Sequence, residues 1–238
     1  MKPLAIYVGG STLTSTRPGL SIAGPSPQGT LYTPTLDLEY LVLGFPVTLN
    51  AMPVSPEGLP TPAVITRAVL QTSKIPYLVV DAGAYYGLKV PHVRLPSARH
   101  GNDIAVSEAL PPGISKRLFY EGEALGRAIG RGHDLVLIGE SMPGGTTVTA
   151  AIMTAFGYDG VSLVSSASPD NPKDLKRGVV RSAVLRVKGP MDPFSVIDAV
   201  GDPVHVTIAG IAKGVISEGA HVVLAGGTQM GAVLAIMG

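Results

Sequence analysis

The 238-residue chain has no cysteine, which excludes disulfides, thiolate nucleophiles and cysteine-based zinc clusters. Aromatic residues are scarce, at 5% of the chain, and tryptophan is absent. Charge is sparse and balanced: 18 basic residues against 17 acidic ones give a net charge of +1. That balance exerts no long-range pull on nucleic acid or on an anionic membrane. A small-molecule partner fits it better. Walker A, GxGxxG and GxSxG patterns are missing, which removes the main support for ATP-driven chemistry, dinucleotide binding by a glycine fingerprint, and an α/β-hydrolase. His92, His100, His133, His205 and His221 show no metal-ligand spacing such as HExxH. No metal or cofactor is expected.

Hydrophobic residues make up 45% of the chain, which argues against disorder. The stretch His221–Gly238 has no Lys, Arg, Asp or Glu, yet Gly226-Gly227-Thr228-Gln229 divides it into halves too short to cross a bilayer. It reads instead as a buried strand, a turn and a buried helix. The N-terminus enters a strand-like run at once, without the successive regions of a secretion signal, so a cytoplasmic protein is expected. Glycine and proline, 30 and 21 in number, serve as dispersed turn punctuation. No linker separates domains, and residues 1–238 are expected to form a single α/β domain with room for a small N-terminal lobe.

Short apolar runs alternate with helical patterns. Strands are expected at Leu4–Val8, Tyr77–Val80 (ending in Asp81), Leu135–Ile138, Val161–Val164 and His221–Ala225. Helices are expected at Leu36–Leu43, Thr61–Thr72, Pro112–Gly130, Thr146–Phe156, Pro172–Val184, Pro193–Val200, Val204–Ser217 and Met230–Met237. This alternation implies βαβ units and a Rossmann-like, doubly wound, mainly parallel sheet with helices on both faces. Ligands of such sheets bind at the carboxyl ends of the strands. Two segments share the plan strand, Gly-Gly-Thr, small-residue helix: LVLIGESMPGGTTVTAAIM and VVLAGGTQMGAVLAIM.

The first contains Gly139–Thr147. Gly144 and Gly145 permit a tight turn and close approach to a ligand. Thr146 and Thr147 then open a helix, whose free N–H groups suit a phosphate. A plain βα turn with a threonine cap explains the same residues. Glu140 sits at the strand end, where a carboxylate would repel phosphate and so suits ribose hydroxyls or a developing cation. Ala225–Gln229 repeats the form without an acid, and Gly226, Gly227, Thr228 and Gln229 serve either as a second anion loop or as close helix–strand packing. Ser165 is counted with the same phosphate site. Lys176, near a helix start beside Lys173 and Arg177, lies either on a solvated face or within reach of a phosphate. His205 and His221 read as structural, and His100 lies in the polar turn Arg99–Ala105.

Several motifs in order resemble one family over nearly the whole chain: GESMPGGTT at 139–147, SPDNPKDLKRGVV at 168–180, DPFSVIDAVGDP at 192–203 and LAGGTQMGAVLA at 224–235. TRPGLSIAGPSPQGTLYTPTLDLEYLVLG at 16–44 and GLPTPAVITRA at 58–68 fit as well. The family is the archaeal-type branch of nicotinate-nucleotide–dimethylbenzimidazole phosphoribosyltransferase. The resemblance implies transfer of a ribose phosphate from nicotinate mononucleotide to a benzimidazole or purine base, for cobamide lower-ligand synthesis. It implies a homodimer that needs no cofactor, places Lys176 on the phosphate, and sets Asn102 in a turn like the family's GNIAV. The relatives carry their general-base glutamate in a Gly-rich stretch beyond the last loop seen here, whereas this sequence stops at Gly238. The family's C-terminal segment is therefore expected to be lacking, with Glu140 or Asp81 as the candidate catalytic groups. A non-catalytic nucleotide-binding protein on the same scaffold is the alternative.

Overall fold

Five strands build the sheet: β1 (Pro3–Gly10), β2 (Tyr77–Gly83), β3 (Val93–Arg94), β4 (Leu135–Ser141) and β5 (His221–Leu224). Their spatial order is β3-β2-β1-β4-β5, and every pairing is parallel. The computed structural model describes residues 1–166, 171–189 and 191–238.

Side chains along a strand alternate between faces, and this sheet buries both. Leu4, Ile6 and Val8 of β1 join Val80, Val136 and Ile138 in the larger core, while Ala5 and Val79 lie in a second cluster on the opposite face. The second cluster is covered by α1 (Thr33–Leu43) and α2 (Ala63–Ser73), through Leu38, Leu41 and Leu70. The larger one receives α3 (Ile114–Gly130), α4 (Gly145–Ala155), α6 (Lys173–Val184), α7 (Pro193–Val200) and α8 (Pro203–Ser217). The expected doubly wound α/β architecture is therefore the observed one. Among the described residues, no helix is long and apolar enough to cross a membrane.

Two expectations are corrected. Val161–Val164 is not a strand: Gly160–Leu163 forms a single helical turn, α5, between α4 and α6. A four-residue apolar run is ambiguous by periodicity. Here Gly160 presses onto α4, where an added Cβ would stand 2.2 Å from the Ala150 carbonyl oxygen. The strand at His221 exists but is not fully buried. As the sheet's edge it leaves Val223 43% exposed, and in α9 (Met230–Met237) Leu234 is 61% exposed.

Helices α3 and α8 pack through glycines on both sides. An added Cβ would stand 2.2 Å from Ile211 O at Gly126, and 2.2 Å from Glu123 O at Gly214. Backbone atoms cannot give way as a flexible side chain can. Gly126→Ala is therefore expected to destabilise the chain by about 1–3 kcal/mol or more, read as a lower midpoint in urea unfolding. An unchanged midpoint would show that the two helices do not meet this closely.

Candidate functional site

The order β3-β2-β1-β4-β5 reverses direction between β1 and β4, so a crevice opens at their carboxyl ends. Register places Glu140 beside Val8 and Ser141 beside Gly9 at that crevice. The chain leaves β4 there and enters α4 through Met142-Pro143-Gly144. Gly144 has φ +76°, the left-handed region, and an added Cβ would lie 3.0 Å from Ser15 Cα. Among the described residues, no side chain caps α4. Within the turn, Gly145 N–H donates to Met142 O and Thr147 N–H to Gly144 O, so these donors are not free as the sequence implied. Thr147 is fully buried, with its hydroxyl unpartnered among the described residues, while Thr146 is half-buried.

The other expected phosphate residues converge on this turn. Lys176 is not on a solvated face; it is fully buried. Its Nζ donates to Ser165 O at 2.8 Å and to Asn171 Oδ1 at 2.9 Å. An ammonium has three N–H donors, so among the described residues one remains for an anion. Burial, then the nearby charge of Lys173, pulls Lys176 down to about 8. Ser165 N–H donates to Thr228 Oγ1 at 3.3 Å, and the two hydroxyls lie 3.2 Å apart. Gln229 follows directly, donating Nε2–H to Glu140 Oε1 at 3.0 Å. Its Oε1 occupies the space beside Gly145, where a Cβ would stand 1.6 Å away. Gly226 and Gly227 form the exposed part of this second turn. Gln229 thus serves Glu140 rather than presenting its amide to an anion. Ser168, Pro169 and Asp170 of the Lys176 motif lie outside the described residues.

Behind Glu140 lies a cluster of polar groups. Asp202 starts α8 by accepting from Val204 N–H at 2.7 Å and His205 N–H at 2.8 Å through Oδ1. Its Oδ2 lies 2.5 Å from His205 Nδ1, and both side chains are fully buried. His205, read as structural from sequence, is held in the interior by this pairing with Asp202. Burial pulls it down, but the charge and hydrogen bond of Asp202, with help from Glu140 and Gln229, hold its pKa above the ordinary value. Burial pushes Glu140 up to about 7, against the lowering influence of His205 and of the Met142 N–H. From α1, Asp37 accepts from Ser141 Oγ at 2.7 Å and is raised to about 6, chiefly by burial. Asp202, His205, Asp37 and Ser141 were missed as site residues. The Asp-Pro-x-His helix start was the available signal, since three residues bring a helix N-cap side chain back over the first turn.

The remaining candidates stand apart. Asp81 is fully buried at the end of β2 and accepts from Gly83 N–H at 2.9 Å and Ala84 N–H at 2.8 Å, while its other oxygen pairs with Arg94. Those bonds give it a scaffolding position. Asn102 donates to Glu108 O at 3.1 Å, and its carbonyl accepts from Thr12 at 3.1 Å and Thr14 at 3.4 Å. Through Thr12–Ser15 it borders the Gly144 turn without entering the Lys176–Gln229 group. Among the described residues, no group of three or more His, Asp or Glu side chains could hold a metal ion.

Residues 65–237 match the family model described as Phosphoribosyltransferase. A protein of Aeropyrum pernix named UPF0284 protein is 58% identical over 99% of this chain and 66% of its own length. A UPF0284 protein of Pyrococcus furiosus is 43% identical over 100% of this chain and 71% of its own. The chain thus spans about two thirds of the length of these relatives. The crystal structure of CobT from Thermus thermophilus superposes with a TM-score of 0.77 at 20% identity, covering 100% of this chain and 65% of that one, which shows a shared fold. A further Thermus thermophilus structure, titled nicotinate-nucleotide-dimethylbenzimidazole phosphoribosyltransferase, gives 0.76 at 21% identity, over 100% and 64% of the two chains. With more than half of its length matched by the family model and with its closely similar archaeal relatives, this chain belongs to the phosphoribosyltransferase family.

Proposed function

We propose that this crevice transfers a ribose phosphate from nicotinate mononucleotide to a benzimidazole or purine base, in the manner of a pentosyltransferase serving cobamide lower-ligand synthesis. The observation that carries this reading is the buried Lys176 ammonium, joined through Ser165 and Thr228 to Gln229 and Glu140 beside the uncapped start of α4. An anion held by the third Lys176 donor and the positive end of α4 would sit next to the Glu140 carboxylate.

That pairing of cation and carboxylate matches the two ends of a mononucleotide. The phosphate lies on the lysine side, and the sugar carbon lies toward Glu140. In the reaction a ring nitrogen of the base attacks the anomeric carbon from the face opposite nicotinate. The C–N bond to nicotinate breaks, its electron pair stays on the pyridine nitrogen, and the configuration inverts. Positive charge building on the sugar is stabilised by an ionised Glu140. The N–H proton of the attacking base must go to a carboxylate, and a group poised near neutral pH suits that role. Glu140, raised to about 7 at the strand end, has that property, with Asp37 at about 6 behind it. Asp81, with both oxygens engaged, is left out of the mechanism. The cytoplasm as its location and a homodimer as its assembly belong to the same proposal.

Nucleotide binding without transfer is the second reading. It is favoured by Glu140 already being engaged by Gln229 and by the Met142 N–H. Two measurements separate the readings: calorimetric titration of nicotinate mononucleotide, and chromatographic detection of nicotinate with benzimidazole and purine acceptors. Binding together with acceptor-dependent nicotinate release is expected. Binding with no release for any base would establish the second reading, and no binding at all would sink both.

A further inference from the structure

The buried cluster behind Glu140 goes beyond what the transfer reading requires. His205 is fully enclosed, yet its Nε2 has no hydrogen-bond partner in good geometry among the described residues, and neither does Gln229 Oε1. Both atoms are ring or amide ends at the same place. Gln229 reaches Glu140 with one end of its amide, and its contact with His205 helps hold the imidazole proton. Asp202 cannot swing away, because its Oδ1 is tied to two helix N–H groups while Oδ2 holds Nδ1. A carboxylate oxygen only accepts here, so Nδ1 carries a proton and Nε2 is the atom whose protonation can change.

We propose that Asp202, His205 and Gln229 are positioning residues that orient Glu140 and link its protonation to that of His205 across the Gln229 amide. The proposal rests on Glu140 lying on the sugar side of the transfer site. Two arrangements satisfy the cluster. With Glu140 ionised and His205 charged, the amide N–H₂ faces Glu140 and the amide oxygen accepts from Nε2–H. With Glu140 protonated and His205 neutral, the amide reverses: its oxygen accepts from the Glu140 hydroxyl and its nitrogen donates to Nε2. The two arrangements hold the same number of protons, so the pair shares one proton and titrates as a unit. The structure has Gln229 Nε2 on Glu140 Oε1, the carboxylate half of the first arrangement. The charged groups facing His205 are Asp202 at the start of its own helix and Glu140 from β4; those facing Glu140 are His205, Asp202 and, from α1, Asp37. Burial raises Glu140 to about 7; burial lowers His205, yet the Asp202 contact leaves it above its ordinary value, so the two groups compete for one proton across the same amide. The loop bearing Gly145 is tied in as well, because Gln229 Oε1 fills the space an alanine Cβ would need there.

The test is a histidine ¹⁵N–¹H NMR titration of the 238-residue chain, with His205 assigned by its absence in His205→Gln. Glu140→Gln is nearly isosteric and lies at the edge of the cluster. It is expected to lower the His205 midpoint by about one pH unit. Gln229→Met, which keeps the volume and removes the bridge, is the second variant and is expected to lower it in the same direction. A His205 midpoint unchanged in both variants overturns the linkage. The pH profile of nicotinate release supplies the other arm. In Gln229→Met its acidic limb is expected to move while the affinity for nicotinate mononucleotide stays within about twofold, a split that loss of structure alone does not produce. Linked titration with no release from any acceptor would sink the transfer reading and leave the linkage standing. Release with an unmoved limb and an unlinked His205 would sink the linkage alone.

Discussion

Replacing Lys176 by methionine is expected to weaken binding of nicotinate mononucleotide by roughly 1.5–3 kcal/mol, about 10- to 150-fold, while leaving the chain folded. Methionine fills much of the lysine volume, and Lys176 is fully buried, so packing is largely retained. What is lost is the ammonium, which holds Ser165 O and Asn171 Oδ1 and keeps one N–H for a ligand. The pH dependence has a definite sign. Burial holds Lys176 down to about 8, so in the free protein its charge disappears as pH rises through that value. Wild-type affinity should therefore fall above about pH 8, to the extent that the bound phosphate raises the lysine in the complex, because the complex then takes up the proton that the free protein has lost. The methionine variant should show no such fall. Calorimetry of both proteins across that range checks the two statements together. Equal affinities at neutral pH would remove Lys176 from the site.

Glu140→Gln is expected to abolish most transfer and, at the same time, to stabilise the fold at alkaline pH. Loss of a positioned proton acceptor lowers turnover by about 10²–10⁴-fold, with substrate affinity little changed because the phosphate contacts are untouched. The stability effect follows from linkage. Burial raises Glu140 from an ordinary carboxylate value to about 7, so the folded chain keeps this proton to higher pH than the unfolded chain does. The stability associated with that proton is fully present below the unfolded value and is lost as pH climbs through about 4.5 to 7. Above that window wild type carries a half-buried charge that the glutamine variant lacks. The variant should then be more stable by roughly 1–3 kcal/mol, the lower end reflecting partial solvent screening. Urea unfolding at about pH 5 and about pH 8, on either side of that window, gives the comparison. A wild type that gains on the variant as pH rises would mean that His205 and Gln229 stabilise the ionised carboxylate more strongly than desolvation penalises it.

These predictions involve residues with very different visibility in the sequence. The loop at Gly144–Thr147, its echo at Gly226–Gln229, and Lys176 were each legible as candidates, because glycine pairs at strand–helix junctions and a lysine near a helix start are local patterns. Their roles within the site were less legible. Thr147 looked like part of a phosphate-binding helix start, and its N–H is taken by Gly144 O; Gln229 looked like part of a second anion loop and instead holds Glu140. Asp81 looked like a strand-end acid and is engaged by Arg94 from the neighbouring strand β3. In each case the deciding contact comes from a segment remote in sequence.

Local chemistry along the chain set the class of fold and most of its elements. Alternating apolar runs and helical spacing, with glycine and proline between them, depend on forces within a dozen or so residues, and those act the same way in any context. The same chemistry limited which residues could carry charge into an apolar interior, since only 15% of the chain is charged. Folding in three dimensions was needed to make the apolar run at Val161 a helical turn rather than a strand. It was also needed to put the His221 strand at the sheet edge, and to bring Asp202, His205, Gln229 and Glu140 together. The first of these turns on the close seat of Gly160 against α4, and the others on strand order and register. Both bring together groups as far apart as Glu140 and Gln229, separated by 89 positions, and a local pattern carries no record of such a distance.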